Sequence, residues 1–296
     1  MKKIIISMFL SSLLLTGCDQ KSDDSAKTST ASEATESESG NINSYVEIYN
    51  QLVGIMGLQE AKTKYENQHI ESISKDRGVS FPRLNYDYIN EQFAAAEKTK
   101  GVSPELSSAG KDLRQKINLL QQDYNQFNIY YESGEYKTDN LAKGKAADAS
   151  IKKHFEEAMI SFNKYQDALN QVYKKEKADQ LEKLKQSGDL YAYHTAASLN
   201  AAEELVNVFK SEDDLKNAEK QKEADAIADR LQQELSALNT ESIKRKEKSP
   251  DAPTNSTLNN LMSCLKYYRE FKETGDQSDY QFMVDGYNQA VFSSSH

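Results

Sequence analysis

The first feature of the sequence that could do chemistry is a carboxylate followed three residues later by an imidazole. Glu66 and His69 have this spacing, which places both side chains on one face of a helix. A di-iron centre in a helical bundle is built from such pairs, but it requires a second Glu-x-x-His and two further carboxylates. Neither His154 nor His194 has a glutamate three residues before it. The pattern therefore predicts a solvated polar pair at Glu66 and His69 and no metal site.

A second pair has the opposite order. His154 and Glu157 resemble the His-x-x-Glu element of imelysin-like periplasmic helical proteins, which would imply metal binding. That family carries a glycine two residues before the histidine, whereas Lys152 stands there in this chain. We interpret the pair as a polar flank beside the apolar Phe155 and predict neither a metal nor a cofactor.

Motifs for nucleophilic catalysis and phosphate binding are missing from the sequence. It contains no Gly-x-Ser-x-Gly and no glycine-rich phosphate loop. Cys264 lies among Leu261, Met262 and Leu265, which favours a small buried hydrophobe over a nucleophile. Because acidic residues are so frequent, paired carboxylates single out no site. We predict no catalytic residue and no enzyme activity.

Tyrosines are the residues that a binding function would use, since the chain has 17 of them and no tryptophan. A tyrosine-lined cleft would stack sugars or take a partner helix, because the ring is apolar and the hydroxyl tolerates water. The alternative, which we favour, is that the rings seal the edge of a helical core with their hydroxyls outward. The candidate ligand-binding residues are Tyr130, Tyr131, Tyr191, Tyr193, Tyr267 and Tyr268, and Tyr136 and Tyr173 are grouped with them.

Amphipathic helices must position these side chains. The chain has only 12 Gly and 4 Pro, and its mean hydropathy of -0.78 reflects many polar helix-forming residues. Apolar residues recur at steps of three and four, most clearly from Leu113 to Tyr131 and from Ile151 to Val172. A further apolar seam runs from Ala224 to Leu238. No run shows the alternation of a strand. The sequence predicts an all-α fold, an elongated antiparallel bundle of long amphipathic helices.

Capping residues predict where several helices begin. Ser44 and Glu47 have the spacing of a capping box, ahead of a helix that we expect to continue to His69. Ser103 followed by Pro104 predicts an N-cap and a first helical residue.

Breaking residues predict where other helices end. Gly188 and Gly275 are expected to stop or bend helices, and residues 244–253 are expected to form a charged loop. The helices form either one bundle or two sub-bundles joined near Gly188, and we favour one all-helical domain over residues 42–296.

The N-terminus has the layout of an export signal. Two lysines precede the apolar run from Ile4 to Leu15, which is shorter than the roughly 20 residues that a membrane-spanning helix needs. The residues Leu15-Thr16-Gly17-Cys18 resemble the lipobox of bacterial lipoproteins. We therefore predict a signal peptide over residues 1–17, cleavage between Gly17 and Cys18, and lipidation of Cys18.

The lipidated cysteine predicts a membrane address. Acyl chains on Cys18, palmitate among them, would hold the protein on a bilayer, since each buried CH₂ contributes about 0.8 kcal/mol. Asp19 resembles the retention signal of enterobacterial lipoproteins that stay on the periplasmic face of the inner membrane. Residues 18–41 are rich in Ser, Thr and Glu, which predicts a flexible tether.

The charge balance argues against nucleic acid as a partner. The chain has 37 basic and 46 acidic residues, and loss of Met1–Gly17 would leave 35 basic residues and a net charge of -11. Nucleic acid and anionic lipid repel such a surface. We expect membrane contact through the acyl chains on Cys18 and not through a basic patch.

The two ends of the helical region resemble a known family. The opening NSYVEIYN (Asn43–Asn50) and the closing YNQAV (Tyr287–Val291), with a lipobox signal and an all-helical middle, are similar to the YiiG-like family of bacterial lipoproteins. The similarity covers most of the mature chain from about Asn41. It is a domain of unknown function, so the resemblance implies a helical fold and lipid anchoring and transfers no catalytic residue.

These observations together predict a lipid-anchored periplasmic protein that is not an enzyme and acts by contact with another protein of the cell envelope. The alternative is an envelope module that binds a small molecule or glycan in a tyrosine-lined cleft.

Overall fold

The structure is a computed structural model that describes residues 42–54, 56–209, 212–251 and 255–294. Its helices are α1 (Asn43–Val53), α2 (Leu58–Glu66), α3 (Tyr86–Ala96), α4 (Pro104–Glu132), α5 (Ala142–Ser187), α6 (Leu190–Asn207), α7 (Glu212–Leu215), α8 (Ala218–Lys248), α9 (Ser256–Thr274) and α10 (Gln277–Ser294). A short 3₁₀ turn, Glu135–Lys137, follows α4. These described ranges contain no strand, and the prediction of an all-α antiparallel bundle is confirmed.

The described part of the chain divides into two compact units. The boundary lies between Glu176 and Lys177, inside α5 and before Gly188. We call the described residues up to Glu176 the N-terminal unit and those from Lys177 onward the C-terminal unit.

In the N-terminal unit the helices alternate in direction. Arg114 of α4 pairs with Glu97 at the end of α3 at 2.6 Å, and Asn90 earlier in α3 bonds Gln121 later in α4. The pairs that join α4 to α5 also run in opposite order along the two helices: Asp112 with Ser161, Lys116 with Glu157, and Asp123 with His154. The helix pair α1–α2 runs antiparallel to α5. Tyr45 of α1 contacts Tyr165 late in α5, and Tyr65 of α2 contacts Phe155 earlier in α5.

The C-terminal unit also consists of helices that alternate in direction, α6, α8, α9 and α10. His194 and Glu204 of α6 pair with Glu234 and Arg230 of α8. Further bonds join α8 to α9 (Asp225 with Tyr268, Ser242 with Asn255) and α9 to α10 (Thr257 with Ser293). The seam predicted for α8 is confirmed, because its apolar residues are buried in the core of the unit: Ala224, Ala228, Leu231, Leu235 and Leu238.

Several predicted helix ends are confirmed. The Ser103 hydroxyl accepts a hydrogen bond from the Leu106 N–H at 3.1 Å, and Pro104 is the first helical residue. Gly188 and Gly275 follow the last residues of α5 and α9 with φ values of 75° and 68°, a conformation that favours glycine.

Other boundary predictions are wrong. The first helix does not reach His69, because the chain turns between Val53 and Leu58. A Cβ at Gly57 would overlap the backbone carbonyl of Leu52, so this turn depends on glycine. The predicted capping box is not formed either: α1 begins at Asn43 and no side chain caps it.

The predicted loop over residues 244–253 begins too early, because α8 continues to Lys248. Lys and Arg are good helix formers, and positive charges in the last turn of a helix interact favourably with its dipole. The charge run that suggested a loop therefore extends the helix.

Candidate interaction surface

Three of the predicted tyrosines pack against one another in the N-terminal unit. The Tyr130 and Tyr131 rings are 1% and 2% exposed, and their centroids lie 5.0 Å apart. Tyr136 is buried beside both, and its hydroxyl donates to the Arg77 carbonyl at 3.2 Å. The Tyr130 hydroxyl donates to Asp139 Oδ1 at 2.8 Å. In this conformation these rings form core, and they offer no face on which a sugar could stack.

Tyr268 is buried between α8 and α9 of the C-terminal unit. Its hydroxyl donates to Asp225 Oδ1 at 2.8 Å, and Lys272 Nζ lies 2.7 Å from the same carboxylate. Burial opposes ionisation of Asp225, but the hydrogen bonds from Lys272 and Tyr268 outweigh it and hold the pKa of the carboxyl below its ordinary value. Tyr268 therefore stabilises the α8–α9 pair.

Tyr191 and Tyr193, at the start of α6, are half-buried and make separate contacts. The Arg245 guanidinium lies over the Tyr191 ring, 4.6 Å from its centroid, which is a cation–π arrangement. The Tyr193 ring packs edge-on against His194. Tyr173 is half-buried on α5.

Tyr267 differs from the other predicted tyrosines because it packs against an exposed aromatic ring. Its ring centroid lies 5.1 Å from that of Phe282 on α10, and 48% of Phe282 is exposed. Lys266 Nζ lies 5.1 Å from the Tyr267 centroid. Met262, one turn earlier on α9, is 46% exposed. We call Met262, Lys266, Tyr267 and Phe282 the aromatic ridge.

An open groove adjoins the aromatic ridge between α8 and α9. It has a volume of about 460 Å³, with Leu235 and Leu265 among the apolar residues that line it. Met262 and Lys266 belong to both the groove and the ridge, so the two features form one continuous surface. Arg269 Nη2 donates to Gln232 Oε1 across the groove at 3.2 Å.

The residues of the aromatic ridge and the groove are of types that are common at protein interfaces. Aromatic residues, Met and Arg are enriched at protein interfaces, where their large apolar areas are buried beside polar groups. Tyr267 was singled out from the sequence, but Phe282 and Met262 were not. The helical repeat of α10 could have identified Phe282 as an exposed aromatic residue. The buried stripe of this helix contains Tyr280, Met283 and Ala290, and Phe282 lies outside it.

The predicted polar pair of Glu66 and His69 on one helix face is not formed. Helix α2 ends at Glu66, and His69 lies beyond it with a φ of 51°, so the two residues do not share a helix face. Glu66 pairs instead with Lys62 at 2.7 Å.

His154 and Glu157 also have other partners. His154 Nδ1 lies 2.7 Å from Asp123 Oδ2, and Glu157 accepts from Lys116 Nζ at 2.9 Å. Burial raises the pKa of Asp123 and outweighs its hydrogen bond with His154. Among the residues that the structure describes, no group of three or more His, Cys, Asp or Glu side chains is arranged to hold a metal ion.

Cys264 is fully buried between α9 and α10, which confirms the predicted small hydrophobe. Burial raises the pKa of its thiol to about 12. None of the described helices combines the length and the apolarity that crossing a membrane would require. The predicted cleavage and lipidation residues, Gly17 and Cys18, and the tether lie outside the described residues.

Comparison with known proteins identifies a family without an assigned role. No curated protein and no solved structure matches the chain. The model of a family described as "Protein of unknown function (DUF3829)" matches residues 36–290, which cover the N-terminal unit and most of the C-terminal unit. The chain therefore belongs to this family of proteins of unknown function, DUF3829.

Proposed function

We propose that this protein is a lipid-anchored component of the bacterial cell envelope that binds another protein through the aromatic ridge and the adjoining groove. The observation that carries the proposal is the contact of Tyr267 with the half-exposed Phe282, beside a groove that Leu235, Met262 and Leu265 help to line. The lipid anchor is inferred from the resemblance of the sequence to the YiiG-like lipoproteins.

The exposed apolar area of the aromatic ridge favours a protein partner, because removing this area from water stabilises a complex. Fully burying a side chain such as Phe or Met contributes about 1.5–3 kcal/mol. Phe282 and Met262 are each about half exposed, so a partner that covered both would gain a substantial part of this energy. The charged groups at the groove are of both signs, Lys266, Arg269, Glu270 and Glu273, and they would lie at the rim and select the partner.

The glycan alternative required a cleft lined by tyrosines. The lining of the groove contains Leu, Met, Gln, Asn, Ser and charged side chains and no tyrosine. Tyr267 lies beside the groove, on the ridge. A protein surface fits this arrangement better than a stacked sugar.

The anchor is supported by the N-terminal sequence. The residues Leu15–Cys18 supply an aliphatic side chain, two small residues and the cysteine in the order that lipoproteins use. Two or more acyl chains on Cys18 would give stable membrane attachment. Asp19 favours the periplasmic face of the inner membrane as the location.

Photo-crosslinking in intact cells tests the partner. A photoreactive amino acid replaces Phe282 in the full chain, and the matched control replaces Ile160, which is 53% exposed on α5 in the N-terminal unit. We expect one reproducible protein adduct from position 282 and none from position 160. If both positions give the same adducts, or position 282 gives none, the aromatic ridge is not the binding surface.

Metabolic labelling with a palmitate analogue tests the anchor separately. We expect the wild-type chain to carry the label in the inner-membrane fraction and Cys18→Ala to lose it. An unlabelled wild-type chain would reject the lipoprotein assignment without affecting the crosslinking result.

A further inference from the structure

The charged side chains that line the groove between α8 and α9 follow an ordered pattern. They are Lys266, Arg269, Glu270 and Glu273, and all of them belong to α9. Steps of three, one and three residues place them on one face of the helix. The two positive charges precede the two negative ones. Reversing the direction of the helix about the midpoint between Arg269 and Glu270 therefore exchanges each positive charge for a negative one.

These charges remain accessible to a partner. Lys266, Arg269 and Glu273 are exposed and Glu270 is partly exposed. Lys266 Nζ lies 3.4 Å from Glu270 Oε1 one turn along the same helix, and Arg269 bonds the neutral Gln232. A solvent-exposed ion pair of this kind contributes only about 0–1 kcal/mol. Its groups can therefore form further pairs across an interface at little cost.

The order of the charges matches a second α9 that runs in the opposite direction. Most protein dimers bring identical surfaces together about a two-fold axis. If that axis passes between Arg269 and Glu270, Lys266 of one copy lies opposite Glu273 of the second copy, and Arg269 lies opposite Glu270. In a parallel contact each charge would instead lie opposite its own counterpart, so like charges would meet. The pattern therefore favours an antiparallel contact between two α9 helices.

The net charge also favours the groove as the meeting point of two copies. The whole chain has a net charge of -9, so two molecules repel each other over most of their surfaces. The groove is lined by two positive and two negative side chains, and its own net charge is zero. A strongly basic or acidic partner would gain no net attraction from such a surface, whereas a second copy gains four pairs of opposite charge.

We propose that a second copy of this chain occupies the groove, with α9 of each copy lying antiparallel in the groove of the other. The inference rests on the proposed function, because it names the partner of that surface. The contact would cover Met262, which is 46% exposed. The stretch of α9 that lines the groove, residues 262–273, is about 16 Å long at 1.5 Å per residue, and a contact of this size is weak. Attachment of both copies to one membrane would raise their effective concentration.

Photo-crosslinking between two copies of the full chain in intact cells tests the proposal. A photoreactive amino acid replaces Ser236, an exposed residue of α8 that lines the groove and carries no charge. The cells also express a second copy with an epitope tag. We expect an adduct that contains both copies from position 236 and none from the exposed position 160 in the N-terminal unit.

Two charge-reversal variants test the antiparallel pairing. Lys266→Glu with Arg269→Glu makes the four charges all negative, and Glu270→Lys with Glu273→Lys makes them all positive. Either variant expressed alone should form at least about tenfold less adduct than the wild type, because like charges then meet across the contact. Expression of the two variants together should restore the adduct, since every facing pair is again of opposite sign.

The matched control changes the net charge equally at another place. Lys64 and Lys153 lie in the N-terminal unit with side chains that are 59% and 73% exposed. Lys64→Glu with Lys153→Glu should leave the adduct at the wild-type level. Thermal unfolding of each purified full-chain variant checks that it is folded.

A wild-type chain that gives no self-adduct from position 236 overturns the proposal, whether or not the variants fold. Folded variants that crosslink to themselves as well as the wild type does, or that are not restored by joint expression, overturn it too. Adducts with a different protein from positions 236 and 282, without a self-adduct, would reject the second copy and leave the proposed function standing. If neither position gives any adduct, both proposals fail.

Discussion

The two units use the same alternation of helix directions but fill their cores differently. In the N-terminal unit, tyrosines span the core and donate to backbone carbonyls: Tyr45 to Ala96 at 3.2 Å, Tyr86 to Leu120 at 3.3 Å and Tyr165 to Tyr45 at 2.6 Å. The core of the C-terminal unit is rich in small and aliphatic side chains, among them Ala201, Ala202, Ala224, Ala228 and Ala290. Large rings separate helices, whereas small residues allow their backbones to approach.

Gly286 shows how close this approach is. A Cβ at this position would lie 2.9 Å from the backbone nitrogen of Cys264 on α9. The difference teaches that the N-terminal unit should be sensitive to loss of ring and hydroxyl atoms, and the C-terminal unit to gain of atoms at the α9–α10 contact.

The largest expected effect is the loss of a ring from the N-terminal unit. Tyr165 is fully buried and stacks on Tyr45. We expect Tyr165→Ala to lower the free energy of unfolding by about 3–5 kcal/mol, because it removes packing and leaves a cavity. Denaturant titration measures this change. The half-buried Tyr193→Ala is the control and should cost less than about 1 kcal/mol; equal losses would mean that burial of the ring does not decide its importance.

The next effect is the gain of one methyl group in the C-terminal unit. Gly286→Ala should lower the free energy of unfolding by about 1–3 kcal/mol, because α9 and α10 must move apart. Thermal and denaturant unfolding measure it. This is the net change: the steric cost of the added methyl group must also offset the roughly 1 kcal/mol by which alanine is more favourable than glycine inside a helix.

Gly78→Ala serves as the control for this substitution, because a Cβ there would meet no atom within 4 Å. It should leave stability within about 0.5 kcal/mol of the wild type. A stabilised Gly286→Ala variant would show that the helices are not in close backbone contact.

A smaller effect is expected when only a hydroxyl is removed. Tyr165→Phe should cost about 1–2 kcal/mol, since the 2.6 Å bond to the Tyr45 carbonyl is lost in a buried setting. Tyr88→Phe is the matched control, because that hydroxyl reaches Glu47 only at 3.4 Å and is partly exposed. If the two substitutions cost the same, the buried hydroxyl of Tyr165 does not stabilise the N-terminal core.

The smallest effects are expected in the pH dependence, where one aspartate in each unit should act with opposite sign. The pKa of Asp225 is lowered in the folded state, so this group stabilises the fold above the ordinary carboxyl range and loses that contribution as the pH falls through its folded pKa. The pKa of Asp123 is raised, so its contribution declines as the pH rises from the ordinary value through the folded pKa.

Unfolding curves recorded against pH for Asp225→Asn and Asp123→Asn test this contrast. The advantage of the wild type over Asp225→Asn should shrink on acidification, whereas the wild type should gain relative to Asp123→Asn. Parallel trends for the two variants would contradict the opposite pKa directions.

The sequence predicts those features that depend on neighbours along the chain. The all-α class, the Ser103–Pro104 start and the seam from Ala224 to Leu238 follow from local spacing and capping. Each of these is determined within a few turns of one helix.

Features that depend on distant residues were not predictable in this way. The turn at Gly57 reflects a close approach to the Leu52 carbonyl, and His154 pairs with Asp123 of another helix instead of Glu157 of its own. Of the residues that form the aromatic ridge, only Tyr267 was predicted from the sequence as a binding residue. Periodicity shows which side of a helix is buried, but it does not show which exposed side chains of neighbouring helices lie together.

The buried thiol of Cys264 has a practical consequence for measurement. Its raised pKa keeps the sulfur protonated at neutral pH, and the core shields it from reagents in solution. In a chain whose Cys18 has been replaced by serine, one cysteine added at an exposed position would therefore take a maleimide dye or spin label selectively. Distances and mobilities could be recorded by spectroscopy on a protein whose native interior is left intact.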